Sequence, residues 1–99
     1  MKLRIEAAAQ RELDKVAEWY GAIRLALAAE FLAEFDHGIH MIVQSPNAWH
    51  PVGPNLRRYR LNRFPYGIIY TPGATEIVVI AIAHLHRHPD YWRGRLKAP

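Results

Sequence analysis

The stretch SPNAWHPVGPN, residues 45 to 55, carries three prolines and a glycine in eleven positions. Proline lacks the amide donor and fixes φ, so no helix crosses such a stretch, and no regular element is expected to continue through it. It divides the chain into two halves with different apolar periods. Upstream the spacing is helical, and downstream it is that of strands. A chain divided this way packs helices on a sheet, an α+β arrangement.

Residues Lys2 to Glu6 alternate as a short strand, with Leu3 and Ile5 on one face. From about Ala8 the spacing becomes helical, with Leu13, Val16, Ala17 and Tyr20 in one stripe and Gly21 as its punctuation. A second helix is expected from about Ile23 to Gln44. Leu25, Ala28, Leu32, Phe35, Ile39 and Ile42 form its stripe, Phe31 lies beside it, and Glu30, Glu34 and Asp36 lie off it. A short joint between the helices makes them an antiparallel hairpin. Beyond the proline stretch, LRRYRL (56 to 61), FPYGIIY (64 to 70) and EIVVIAIA (76 to 83) read as strands joined by turns at Asn62-Arg63 and Pro72-Gly73. The expected order is β-α-α-β-β-β, with the hairpin on one face of a small, mainly antiparallel sheet and the other face more open. Strand parity sends Tyr59, Phe64, Tyr66 and Ile68 to the helices, and Arg58, Arg60 and Gly67 away from them.

The 99 residues are expected to form one domain. Cysteine is absent, which excludes disulfides and thiolate ligands. No apolar run approaches the roughly 20 residues that span a bilayer, and the N-terminal segment turns acidic too early for a signal peptide. A cytoplasmic location is therefore expected. Residues 1 to 55 hold five Lys/Arg and seven Asp/Glu, a balance of −2, whereas residues 56 to 99 hold eight and two, a balance of +6. Basic charge gathered in one half favours an acidic partner, either a phosphate backbone or an acidic protein segment.

His84, His86 and His88 alternate along the end of the last strand. A zinc site needs converging ring nitrogens about 2.0 Å from the ion and supporting carboxylates. Pro89 bends the chain directly after His88, so no metal is expected here, and no cofactor elsewhere. Arg57, Arg58, Arg60 and Arg63 read either as solvated guards of an edge strand or as a phosphate-binding row. Arg87, Arg93 and Arg95 at the end of the last strand favour the second reading. Trp92 is expected to anchor the C-terminal segment, Trp49 to plug a loop, and Trp19-Tyr20 to belong to the core. The acidic residues are mostly expected on solvated helical faces, so any acid–base chemistry would fall to histidine, tyrosine or arginine.

These features together resemble the RelE/ParE superfamily of type II toxin–antitoxin toxins, also called plasmid stabilisation proteins. The resemblance rests on Ala9-Glu12-Leu13 with Trp19-Tyr20, on Ser45-Pro46, on R-R-Y-x-L-x-R-F-P-Y-G-I-I-Y over 57 to 70, and on A-x-x-H-x-x-R-x-P-x-Y-W-x-x-R from Ala81 to Arg95. It implies a toxin that arrests growth, with a cognate antitoxin as partner and either ribosome-bound mRNA or DNA gyrase as target. For RNA-binding, RelE-like members, basic residues on the open sheet face and a tyrosine near the C-terminus cut the message. Those positions fall here on Arg58, Arg60, Arg87 and Tyr91, with His84, His86 or Tyr91 to move protons. Gly67 departs from that pattern, standing where the nucleases place an arginine in the middle strand. ParE-like members instead inhibit gyrase by binding, and a degenerate homologue would only bind its antitoxin. The resemblance and the charge split together place an acidic antitoxin segment across the sheet, against Arg58, Arg60 or Arg87, with a second, apolar contact on the helices.

Overall fold

The computed structural model describes residues 2–96. The order is β1 (Lys2–Ile5), α1 (Ala7–Ile23), α2 (Leu25–Gln44), β2 (His50–Gly53), β3 (Leu56–Arg60), β4 (Tyr66–Pro72), β5 (Glu76–His84) and a closing 3-10 turn (Tyr91–Leu96). The sheet runs β1-β5-β4-β3-β2. β1 is parallel to β5, and every other pairing is antiparallel. The α+β architecture matches the expectation, with one strand more.

That strand is β2, inside the proline-rich stretch where no regular element was expected. It is tolerated because it lies at the sheet's edge, where the amide that Pro51 lacks has no partner to miss. Its pairing with β3 slips between Pro51 and Gly53, and Asn55, at φ 52°, turns the chain into β3.

The helical joint also differs from expectation. α1 runs through Gly21 to Ile23, and the chain breaks instead at Arg24, whose extended backbone (φ −160°, ψ 128°) separates the helices. One glycine costs a helix only about 1 kcal/mol, too little to end it. The buried face of α2 is Phe31, Phe35, Gly38 and Ile42, rolled away from the expected stripe so that Leu25 is 84% exposed. Gly38 explains the roll. A Cβ there would stand 2.9 Å from Cε1 of Tyr59 and 3.0 Å from Cδ1 of Ile68, so only glycine lets α2 settle this close to the sheet. Tyr20 joins the core as expected, whereas Trp19 stays 58% exposed.

Between helices and sheet lies the main core, which includes Leu13, Tyr20, Phe31, Tyr59, Ile68, Tyr70, Ile77, Val79 and Ile82. The opposite face is less open than expected. Leu56, Ile69, Ile80, Ala81, Ala83 and Trp92 form a second core there, with Trp92 only 1% exposed and its indole N–H donating to the Pro89 carbonyl at 2.6 Å. The closing turn is thus pinned under the sheet. Trp49 plugs its loop as expected, packing edge-on against Tyr59 and donating to the Met41 carbonyl at 3.3 Å. Among the described residues, no helix is long and apolar enough to cross a membrane.

Candidate functional site

β1 and β5 differ in length, and the site begins from that mismatch. β1 stops at Ile5, opposite Val79, while β5 continues to His84. Past Val79 the outer edge of β5 has no strand beside it, and buried backbone groups left unpaired would be costly. Side chains take the place of a strand. The Ile82 amide donates to Oε1 of Glu12 at 3.0 Å, the Tyr91 hydroxyl reaches the Ile82 carbonyl at 3.3 Å, and Arg95 Nη1 donates to the Ile80 carbonyl at 2.8 Å. The three side chains also bind one another. Tyr91 donates to Glu12, and Arg95 grips both Glu12 oxygens at 3.1 and 2.8 Å.

Glu12 is therefore an exception to the expectation that the acidic residues are mostly solvated. Its side chain is only 20% exposed. Burial alone would raise its pKa, but hydrogen bonds from Arg95, Tyr91 and the Ile82 amide hold the carboxyl below its ordinary value. Tyr91 moves the other way, its proton held more tightly because burial, the bond to Glu12 and the Glu12 charge all oppose a phenolate. The sequence signal for Glu12 was its place inside the helical apolar stripe, one position before Leu13. Glu34 is likewise engaged, accepting from the backbone amides of Asn62 and Arg63 at the β3–β4 turn.

Beside this cluster, a cavity of about 470 Å³ opens between α1 and the end of β5, lined by Glu12, Lys15, Val16, Tyr66, Ile82, His84, Arg87, His88 and Tyr91. Three of the five expected site residues, His84, Arg87 and Tyr91, meet there. His84 uses Nδ1 to accept the backbone amides of His86 and Arg87, at 3.0 and 3.1 Å. Its neutral ring then carries the proton on Nε2 and offers no free base toward Nδ1. Burial, and then the positive charges of Arg87 and His86, lower its pKa. His88 stands at φ 46°, leaving strand geometry. Among the described residues, no three His, Cys, Asp or Glu side chains gather as a metal would require.

Arg58 and Arg60 lie elsewhere. As parity predicted, they share the face opposite the helices with Leu56 and Ile69 of the second core. Arg58 and Arg60 both line a cavity with Trp49 and His50 near the sheet's other edge. Arg58 also lines a narrow cavity of about 50 Å³ with Trp92, Arg93 and His84, and its Nε is buried with no hydrogen-bond partner among the described residues. The stem of Arg58 lies across Gly67, where a Cβ would meet its Cγ at 2.9 Å, its Cδ at 3.0 Å and Leu85 Cδ2 at 3.2 Å. The arginine row is thus divided. Arg57 donates to the Trp49 carbonyl at 2.8 Å, and Arg63 is paired with Glu30 at 2.8 Å. Of the tail arginines, Arg93 is the one that joins Arg58, while donating to the Val52 carbonyl at 3.1 Å.

The family model for the ParE toxin of the type II toxin–antitoxin system, parDE, matches residues 3–89. Among solved structures, one described as the chromosomal ParDE TA system from P. aeruginosa superposes with a TM-score of 0.76, at 19% identity, over 87% of this chain and 97% of that one. At that identity the likeness is one of fold. No curated protein sequence matches the chain.

Proposed function

The chain belongs to the ParE toxin family of type II toxin–antitoxin systems, and from that membership we propose that it arrests growth by binding its target, DNA gyrase, rather than by cutting RNA. The observation that carries this reading is the separation of Arg58 and Arg60 from Arg87 and Tyr91, with His84 alone of the five bordering both the groove and the Arg58 cavity. Cleaving a phosphodiester needs a proton acceptor, a charge neutraliser and a proton donor converging within hydrogen-bond reach of one phosphate. Arg58 and Arg60 line other cavities than the one that holds Arg87 and Tyr91. Tyr91 is engaged by Glu12, and His84 by two backbone amides. The place of the missing arginine, at Gly67, is filled by the stem of Arg58. A binding toxin needs none of these groups free, so in this reading Arg58, Arg60, Arg87, His84 and Tyr91 contribute charge and shape rather than catalysis.

The test is induction of the toxin in cells, with amino-acid incorporation and a DNA-damage reporter followed together. DNA damage should precede any fall in translation, and Tyr91→Phe and His84→Ala should still arrest growth. An immediate translation block that Tyr91→Phe relieves would instead establish the nuclease.

A further inference from the structure

We infer that a pocket beneath Trp19, between the C-terminal half of α1 and the start of β4, seats a terminal phosphoryl group, carried by a nucleotide or present as inorganic phosphate. The pocket measures about 210 Å³ and is lined by Trp19, Tyr20, Pro65, Tyr66, His84 and Arg87. It adjoins the larger groove but does not include Glu12, and neither Asp nor Glu lines it. With no carboxylate to hold a cation, its polar groups suit an anion.

Tyr20 is the first of those groups. It is only 8% exposed, and its ring is held among Trp19, Phe31, Phe64 and Tyr66 at centroid distances of 5.1, 5.5, 4.9 and 6.4 Å. Tyr70 and Tyr91 engage their hydroxyls within the fold, on Pro46 and Glu12. Among the described residues, the hydroxyls of Tyr20 and Tyr66 have no such partner. A polar group on a ring fixed this firmly at a cavity wall calls for a ligand, since buried polar groups are rarely left unpaired. Arg87 is exposed, and among the described residues it has no carboxylate within ion-pairing distance. Its charge reaches both phenols. Burial, joined at Tyr20 by the influence of Tyr66, raises both pKa values, and Arg87 opposes the rise in each. Both hydroxyls thus keep their protons at neutral pH and can donate. His84 commits Nδ1 to the amides of His86 and Arg87, which leaves Nε2–H as a further donor.

Three neutral donors around one guanidinium fit an oxyanion with more than two free oxygens. A carboxylate has two, whereas a terminal phosphoryl group has three. A nucleic-acid strand fits less well, because a polyanion favours a continuous row of cations, and Arg58 and Arg60 line other cavities. Trp19 is 58% exposed, so its indole can carry a planar group attached to the phosphate.

The test is calorimetric titration of the full chain with adenosine monophosphate, inorganic phosphate and adenosine. Adenosine should bind at least about tenfold more weakly than its monophosphate, because it lacks the charge-assisted hydrogen bonds. Tyr20→Phe with Tyr66→Phe should weaken the monophosphate about tenfold, as should Arg87→Gln. Arg11→Gln, on α1 outside the pocket, should change it less than about twofold. Binding of the monophosphate about threefold or more tighter than phosphate makes the ligand a nucleotide laid on Trp19, and equal or weaker binding makes it free phosphate. Adenosine binding as tightly as its monophosphate, Tyr-to-Phe variants binding as tightly as the wild type, or equal losses from Arg11→Gln and Arg87→Gln would each overturn the proposal. So would the absence of binding by either phosphate compound at millimolar concentration. Nuclear magnetic resonance of the wild type needs no variant to fold: the monophosphate should shift the Trp19 indole N–H and the Tyr66 and Arg87 amides, and unshifted signals there would sink the site.

Discussion

Nη2 of Arg95 lies 2.8 Å from Oε2 of Glu12, so residues 83 positions apart in the chain together finish the edge of a single strand. The pair joins the closing turn to the first helix, with Tyr91 as the third member. Tyr91, which resembles a catalytic residue by position, has its hydroxyl bonded into that edge. A structural role and a catalytic one for that hydroxyl differ in measurable ways.

Tyr91→Phe deletes one hydroxyl that donates to Glu12 and touches the Ile82 carbonyl. The loss of stability should be about 1–2 kcal/mol, as for a hydrogen bond to a charged acceptor that is left partly unpaired. Urea denaturation measures it. Growth arrest should persist, and a stable but non-toxic Tyr91→Phe protein would return the hydroxyl to the chemistry.

The pH dependence follows from Glu12. Its folded pKa is depressed below the ordinary 4.5 by the hydrogen bonds that outweigh its burial. The stabilisation from its carboxylate is therefore present above pH 4.5 and lost as pH falls through the folded value. Glu12→Gln should be less stable than the wild type at pH 7, by about 1–3 kcal/mol. The gap should narrow as pH falls below 4.5 and through the folded value, where the wild-type carboxyl becomes protonated as well. Denaturation across an acid pH series gives the answer, and a gap independent of pH would mean that the charge of Glu12 contributes nothing.

Gly67→Arg would restore the arginine found in the nucleases, but into space that Arg58 fills. Overpacking of this kind costs about 1–3 kcal/mol. Arg58→Ala should relieve most of the penalty, so a double-mutant cycle on thermal stability should show strong coupling between the two positions. Additive effects would mean that the two side chains avoid one another.

Trp92→Ala empties the centre of the second core, where the indole is 1% exposed and bonded to Pro89. Loss of a buried aromatic of this size costs about 3–5 kcal/mol, visible as a lowered melting temperature. A loss under about 1 kcal/mol would place Trp92 at the surface rather than beneath the sheet.

The sequence by itself determined the division into helices and sheet, the antiparallel meander of β3, β4 and β5, and the strand parity that sends Arg58 and Arg60 away from the helices. Those properties follow from apolar period and from turn residues, which act over a few neighbours and are written locally in the chain. Its motifs also carried the family resemblance. Only the tertiary structure decided which charges meet. Arg95 reaches Glu12, Arg93 joins Arg58, and Arg87 stands in the groove, because the lengths of β1 and β5 fix where the sheet's edge needs closing and where the tail must cross. The roll of α2 was equally hidden, since it depends on how closely Gly38 lets the helix approach Tyr59. β2 escaped because proline argues against a strand only where its amide is needed, and need is set by whether the strand lies at the edge. Pairings across dozens of residues depend on register and on the order of strands, and neither is legible from local spacing.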